Sequence, residues 1–361
     1  MPLQRMDRQE FFGKMSTLDD AGLRKALWNL YWRGTATMRE RIEAELNPHS
    51  QGRRQPPARP AVDPDWVLDQ ARDFVALARS GAYIGGDRRV SRHERSRWRF
   101  TFQRLVAESQ QALLSPDGTV AGAAALAELI DLANDTRGYD YFHSEDPVEA
   151  ARFVVSDAVT VLWRRLLEEH GFAGFAERAA PQLIRWESRF GWTRTGFGAL
   201  REKECSLASV LKGMLRSPDM WIGFAGSYLA ALDLAARDDA ARPKQSWPGP
   251  DRVRDRRTEA LSEWHGLLLP KLKDYGAEDR LDRLSKHSAL GGAELTFLKA
   301  KLAHARGDVG GARSLVHQAL ESKPGHEGFL EFAGAIGAPL PPHAQRIVKE
   351  RSLPIPVIAQ A

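Results

Sequence analysis

The densest run of one chemistry lies between Asp87 and Arg104, where seven arginines stand against two carboxylates, +5 in 18 residues. Guanidinium groups suit phosphate, and Trp98, Phe100 and Phe102, interleaved with them, could stack on bases. The same segment also reads as an amphipathic helix. Trp98, Phe102, Leu105 and Val106 share one stripe, which assigns those aromatics to a core. Arg88, Arg89, Arg92, Arg95 and Arg99 are then left on a solvated face, or paired with acids of a neighbouring helix. These five are the candidate nucleic-acid contacts.

A second concentration is aromatic. Tyr139, Tyr141, Phe142 and His143 sit in a polar turn ahead of a helix. Trp186, Phe190, Trp192 and Phe197 lie among Arg185, Arg189 and Arg194, with Gly191, Gly196 and Gly198 loosening the chain. Large rings in an irregular loop are costly to leave in water. They either plug a core, which is the favoured reading, or line a pocket or interface. The pocket reading selects Tyr141, His143, Trp186 and Trp192, with Glu145 and Asp146 as polar companions.

Other chemistries find little support. The ten histidines are scattered, and no H-E-x-x-H pairing occurs. The side chains of Glu168, Glu169 and His170 diverge around a helix, so no metal site is assigned. There is no phosphate-binding G-x-x-x-x-G-K-[ST] loop, and Gly81–Gly86 lacks dinucleotide-loop spacing. Ser227 lacks the following glycine and the preceding strand of a nucleophile elbow. Cys205, the one cysteine, can form no intrachain disulfide, and the flanking Glu202 and Glu204 oppose thiolate formation. No catalytic residue or cofactor is assigned, and the balance leans away from an enzyme.

The elements that must position these residues read as helices throughout. Of 361 residues 43% are hydrophobic and 27% charged, enough to bury a core in two or three domains. Residues 1–46 read as a small helical module, with Thr17 as N-cap ahead of Asp19 and Asp20, and with Thr35 or Thr37 capping a second helix. Residues 47–62 hold four prolines and three arginines and read as a linker. A central helical domain follows over 63–240, opened by Asp63-Pro64, with capping signals at Ser91 and Asp146. Val154–Val161 is rich in β-branched residues, but Val155, Val159, Leu162 and Leu166 keep a helical period, so the spacing predicts a helix ended by Gly171. Residues 241–250 form a Pro/Gly-rich connection, 251–350 a C-terminal run of helices, and 351–361 an extended tail. No segment alternates with period two, so the expectation is an all-α fold of a dozen to fifteen helices. The first fifteen residues lack the apolar core of a secretory signal, and no stretch approaches a membrane span. A cytoplasmic location without membrane contact is expected.

Within 251–350, Ala300, Ala312 and Ala319 sit where two helices would cross, Gly307-Asp308 makes a turn, and Pro324 closes the unit. Residues 293–326 thus resemble a tetratricopeptide repeat, a 34-residue helical hairpin. The resemblance covers about a tenth of the chain. It implies that Glu294, Phe297, Lys301 and His304 line a concave groove that takes a peptide or helix of another protein. The leading expectation is a protein–protein adaptor or scaffold. Two alternatives stay open: a nucleic-acid-associated accessory protein using the Arg-rich helix 88–104, and an enzyme with a pocket near 139–146 and 186–197.

Overall fold

Asp63 opens the body as its type requires. Its carboxylate accepts the N–H groups of Asp65 and Trp66, and Pro64, with no N–H to leave unpaired, takes the first helical position. Ser91 and Glu94 form the reciprocal capping box at the next helix, and Asp146 caps Glu149 N–H ahead of Pro147. The computed structural model describes residues 8–35, 38–39, 42, 62–85, 87–196, 198–243 and 245–352. Among them are sixteen helices and no strand, so the protein is all-α.

The chain divides into two units, Met1–Ala61 and Val62–Ala361. The first contains α1 (Arg8–Met15) and α2 (Asp20–Arg33), and no residue of α2 is buried. Trp28 stacks on Tyr31 and Trp32 along the α2 surface. Asp19, not Thr17, caps α2. The Thr17 hydroxyl is already donated to the Lys14 carbonyl that ends α1, whereas the Asp19 carboxylate accepts Gly22 N–H at 2.8 Å. Thr37, residues 47–61, Phe197 and the tail 353–361 lie outside the described residues.

The second unit begins with α3 (Pro64–Arg79), α4 (Arg92–Leu114) and α5 (Thr119–Asp135), which pack on one another. Gly122 lets α5 lie directly on the end of α4, because a Cβ there would stand 2.2 Å from the Leu113 nitrogen. After the short α6 (Pro147–Ala151) comes α7 (Val155–Trp186). Its β-branched start is helical because Val155, Val159, Leu162 and Leu166 bury one stripe. Gly171, at φ +63°, breaks α7 into two helical stretches. Then follow α8 (Leu207–Met214), α9 (Pro218–Ala241), α10 (Pro250–Ala260), α11 (Ser262–Asp274) and α12 (Glu278–Ser285). The chain closes with α13 (Gly292–Ala305), α14 (Val309–Ser322), α15 (Glu327–Ile336) and α16 (Pro342–Ser352).

The main core does not stop at the 241–250 connection. It runs from Val67 to Leu302. Trp221 of α9 stacks on Trp264 of α11 with ring centroids 5.7 Å apart, and Phe224 meets the same indole edge-on at 5.3 Å. Arg257 of α10 grips the buried Asp239 of α9 through two hydrogen bonds of 2.7 and 3.0 Å. A smaller core holds the last helices, with Phe297, Val316, Leu320 and Phe329 at its centre. The three alanines expected at a helix crossing, Ala300, Ala312 and Ala319, are all fully buried there.

Candidate functional site

The irregular stretch 187–206 is held at three points. Glu187 lies just past the end of α7, and its carboxylate accepts N–H groups from Ser188 (2.9 Å), Leu207 (3.4 Å) and Ala208 (2.8 Å). It therefore caps α8 from twenty residues away. Burial pushes this carboxyl up to about 7, against the pull of those three donors. Trp186 donates its indole N–H to Asp131 at 2.6 Å, and Trp192 donates to the Trp186 carbonyl at 2.9 Å. Arg194 is the third anchor. Its backbone N–H reaches Asp146 at 2.7 Å, while its guanidinium donates to the Thr136 and Tyr139 carbonyls and to Asp140 at 2.6 Å.

The two aromatic segments are therefore joined, but not as a pocket of the four expected residues. Trp186 and Trp192 are each 2% exposed and fill the core. Trp192 lines a void of 160 Å³ shared with Cys205 and Glu263. Tyr141 stacks on Tyr139, and His143 is exposed and approaches Gly85. The rings went inside because each indole N–H finds an acceptor there, which removes the cost of burying it.

Two larger cavities open on either side of Arg189. The first, of 420 Å³, is lined by residues of α10, α11, α13 and α15, among them His265, Glu294, Phe297, Lys301 and His326. Glu294, 6% exposed, stands at its wall. Its carboxylate meets Arg189 at 3.0 Å, His326 Nε2 at 3.1 Å and Lys323 at 3.6 Å. Glu259 shares two of these partners, Lys323 at 2.9 Å and Arg189 at 3.4 Å. Burial raises the Glu294 pKa and prevails over the two cations. His326 stacks on Phe329, and its Nδ1 accepts the Phe329 N–H, which puts the proton of the neutral ring on Nε2, close to Glu294 but not aligned for a hydrogen bond. Burial, then Arg189 and Lys323, push His326 down to about 4, so it is neutral near pH 7. His265 is pushed down to about 3 by burial and pairs through Nε2 with the Tyr228 hydroxyl at 2.8 Å.

Lys301 differs from its neighbours. Its ammonium lies 4.7 Å from the Phe297 ring centroid and makes no ion pair among the described residues. Burial pulls its pKa below the usual lysine value. Of the four residues expected in a groove, Glu294, Phe297 and Lys301 line this cavity, although Phe297 also packs on Phe329 in the smaller core. His304 stands apart, its ring edge-on to Phe332.

The second cavity, of 690 Å³, is arginine-rich. Arg137 comes from the turn just after α5, Arg189, Arg194 and Arg201 from the irregular stretch, and Arg256 from α10. Among the described residues of its lining, Glu259 is the only carboxylate. The sequence gives no reason to group Arg137, Arg201 and Arg256, since nothing local links positions this far apart. The one local sign is the basic, glycine-punctuated loop around Arg189 and Arg194.

The Arg-rich helix α4 keeps its aromatics as expected: Trp98 and Phe102 are buried. Arg89 pairs with Asp87, and Arg95 donates to the Asp87 and Val90 carbonyls at 3.0 and 2.9 Å. Arg99 lies over the exposed Phe100 ring, while Arg88 and Arg92 are exposed. Among the described residues no group of three His, Cys, Asp or Glu could hold a metal, and no helix is long and apolar enough to cross a membrane. No protein-family model matches the chain, and no curated protein or solved structure shows significant similarity to it.

Proposed function

We propose that the chain is a protein-binding module whose Lys301 cavity takes an acidic and apolar segment of a partner. The observation that carries this reading is Lys301 itself. A half-buried ammonium with no salt bridge among the described residues, steadied only by the more distant charge of Glu294, is costly, and here it sits over an aromatic ring at the wall of an open cavity. A partner carboxylate would complete the pair. An adjacent aliphatic or aromatic side chain would rest on Phe297 and Leu298, which line the same space. The charged rim of Arg189, Glu263 and Glu294 around an apolar floor fits protein recognition. The resemblance of 293–326 to a tetratricopeptide repeat supports the same reading, since that family binds peptides on the face that carries Lys301.

Fluorescence anisotropy tests this with the full chain and a set of labelled peptides that pair aspartate or glutamate with leucine or phenylalanine. Acidic members should bind, and Lys301→Met should weaken them about tenfold or more, the worth of one charge-assisted hydrogen bond. Equal binding of peptides carrying asparagine or glutamine instead, or no loss in Lys301→Met, rules the reading out.

A further inference from the structure

Three separate stretches of chain deliver five arginines to the 690 Å³ cavity, and among the described residues its lining supplies a single carboxylate, Glu259. That carboxylate is already engaged by Arg189 and by Lys323. Arg194 is engaged as well, by Asp140 and two backbone carbonyls. Arg137 and Arg256 have no hydrogen bond or ion pair to their side chains among the described residues. Arg137 still reaches solvent, but surrounding protein crowds it enough that burial lowers its pKa. Cations gathered in one concave space repel one another, and an anion entering it would relieve the repulsion that the bonds of Arg189 and Arg194 leave.

The cavity also presents a ring. Phe190, 61% exposed, lines it, with the Arg189 guanidinium 5.5 Å from its centroid. An exposed phenylalanine held by a basic loop offers a stacking plane beside the guanidinium cluster. The volume lies within the roughly 300–1,000 Å³ typical of small-ligand sites. Guanidinium forks match phosphate oxygens bidentately.

We propose that this cavity is a binding site for a small phosphorylated ligand carrying a planar ring, the chemistry of a nucleotide. Arg137 and Arg256 supply the uncommitted charges for the phosphates, and Phe190 stacks on the ring. The arginines converge on one cavity, which favours a compact ligand over a nucleic-acid strand tracked along an extended groove. The site shares Arg189 with the Lys301 cavity but does not depend on the peptide reading.

The test is isothermal titration calorimetry on the full chain with four probes: adenosine diphosphate, inorganic pyrophosphate, adenosine and a twelve-residue oligothymidylate. Adenosine diphosphate should bind in the micromolar range, more tightly than pyrophosphate, and adenosine should not bind. The double variant Arg137→Ala/Arg256→Ala should weaken adenosine diphosphate by about a hundredfold, because each substitution removes one charge-assisted hydrogen bond to phosphate. Neither side chain makes an intramolecular bond, so its thermal midpoint should match the parent, and Lys301→Met should leave the affinity unchanged. Phe190→Ala should remove the advantage over pyrophosphate. Millimolar binding of adenosine diphosphate, or equal affinity in the parent and the double variant, overturns the site. Equal affinity for pyrophosphate and adenosine diphosphate overturns the ring contact. Tighter binding of the oligonucleotide that survives the double substitution assigns the charge to nucleic acid elsewhere and also overturns it.

Discussion

Glu187→Gln should change how stability depends on pH. The carboxyl of Glu187 is 4% exposed, and burial raises its pKa from about 4.5 to about 7, with Glu263 nearby adding to the shift. A carboxyl whose pKa is higher in the folded state than in the unfolded chain is harder to ionise when folded. Its protonated form therefore favours the folded state fully below pH 4.5, and that contribution is lost as pH rises through 7. Over this window the shift corresponds to about 3 kcal/mol, at 1.36 kcal/mol per unit. Glutamine carries no titrating proton and keeps one carbonyl oxygen for the Ser188 and Leu207 N–H groups, while its amide NH2 faces the Ala208 N–H that Oε2 accepts, a cost that does not vary with pH. Urea denaturation of both proteins from pH 4.5 to 8 would show it. The variant should gain about 3 kcal/mol on the parent across the range. A constant difference, or one that moves in favour of the parent as pH rises, would refute the claim that desolvation outweighs the three hydrogen bonds. Glu187→Ala separates the cap from the charge: it strands two backbone donors at the start of α8 and should cost about 2–5 kcal/mol at any pH.

Gly122→Ala should destabilise the body by about 2 kcal/mol despite the better helix propensity of alanine, because the new methyl would collide with the Leu113 backbone and force α4 and α5 apart; the urea midpoint reports it. Asp239→Ala should cost about 3–5 kcal/mol by leaving the Arg257 guanidinium buried without its carboxylate. Adding Arg257→Met should recover most of that loss in the same denaturation series, and failure to recover it would place the cost in packing instead of charge.

The legible features are those whose cause is local. The Ser91–Glu94 box, Asp63-Pro64 and Asp146-Pro147 each set a helix start through side chains within three residues of the backbone groups they satisfy. The β-branched start of α7 is readable because a buried stripe of Val155, Val159, Leu162 and Leu166 outweighs strand propensity. Thr17 misleads for an equally local reason, since its hydroxyl serves the helix before it and not the one after. The α8 cap shows the limit of such rules. Ser206 caps it locally, accepting Ser209 N–H at 3.1 Å, but the Leu207 and Ala208 donors go to Glu187, a residue nothing in the local pattern connects to them.

The same division separates the two cavities. Glu294, Phe297 and Lys301 lie within eight residues on one helix, so helical period alone places them near one another, and three of the four expected groove residues share a cavity. Periodicity says which residues share a face, but not what that face meets. The partners that turn the α13 face into a charged wall, Arg189, Lys323 and His326, come from the irregular stretch, the end of α14 and the cap of α15. The arginine cavity has one local sign, the basic loop around Arg189 and Arg194, and nothing local that adds Arg137 or Arg256 to it. Its members are spread from position 137 to 256 and meet only because Arg194 ties the irregular stretch to the end of α5 while the core carries α10 up beside it. In the sequence the eye is drawn to the seven arginines of 87–104, yet Arg89, Arg95 and Arg104 meet a carboxylate or backbone carbonyls close to them in the chain. Charge density along a chain measures composition, whereas charge density around a cavity measures what the fold leaves unsatisfied. The second quantity is the one a ligand responds to, and it favours Arg137 and Arg256 over the arginine-rich helix.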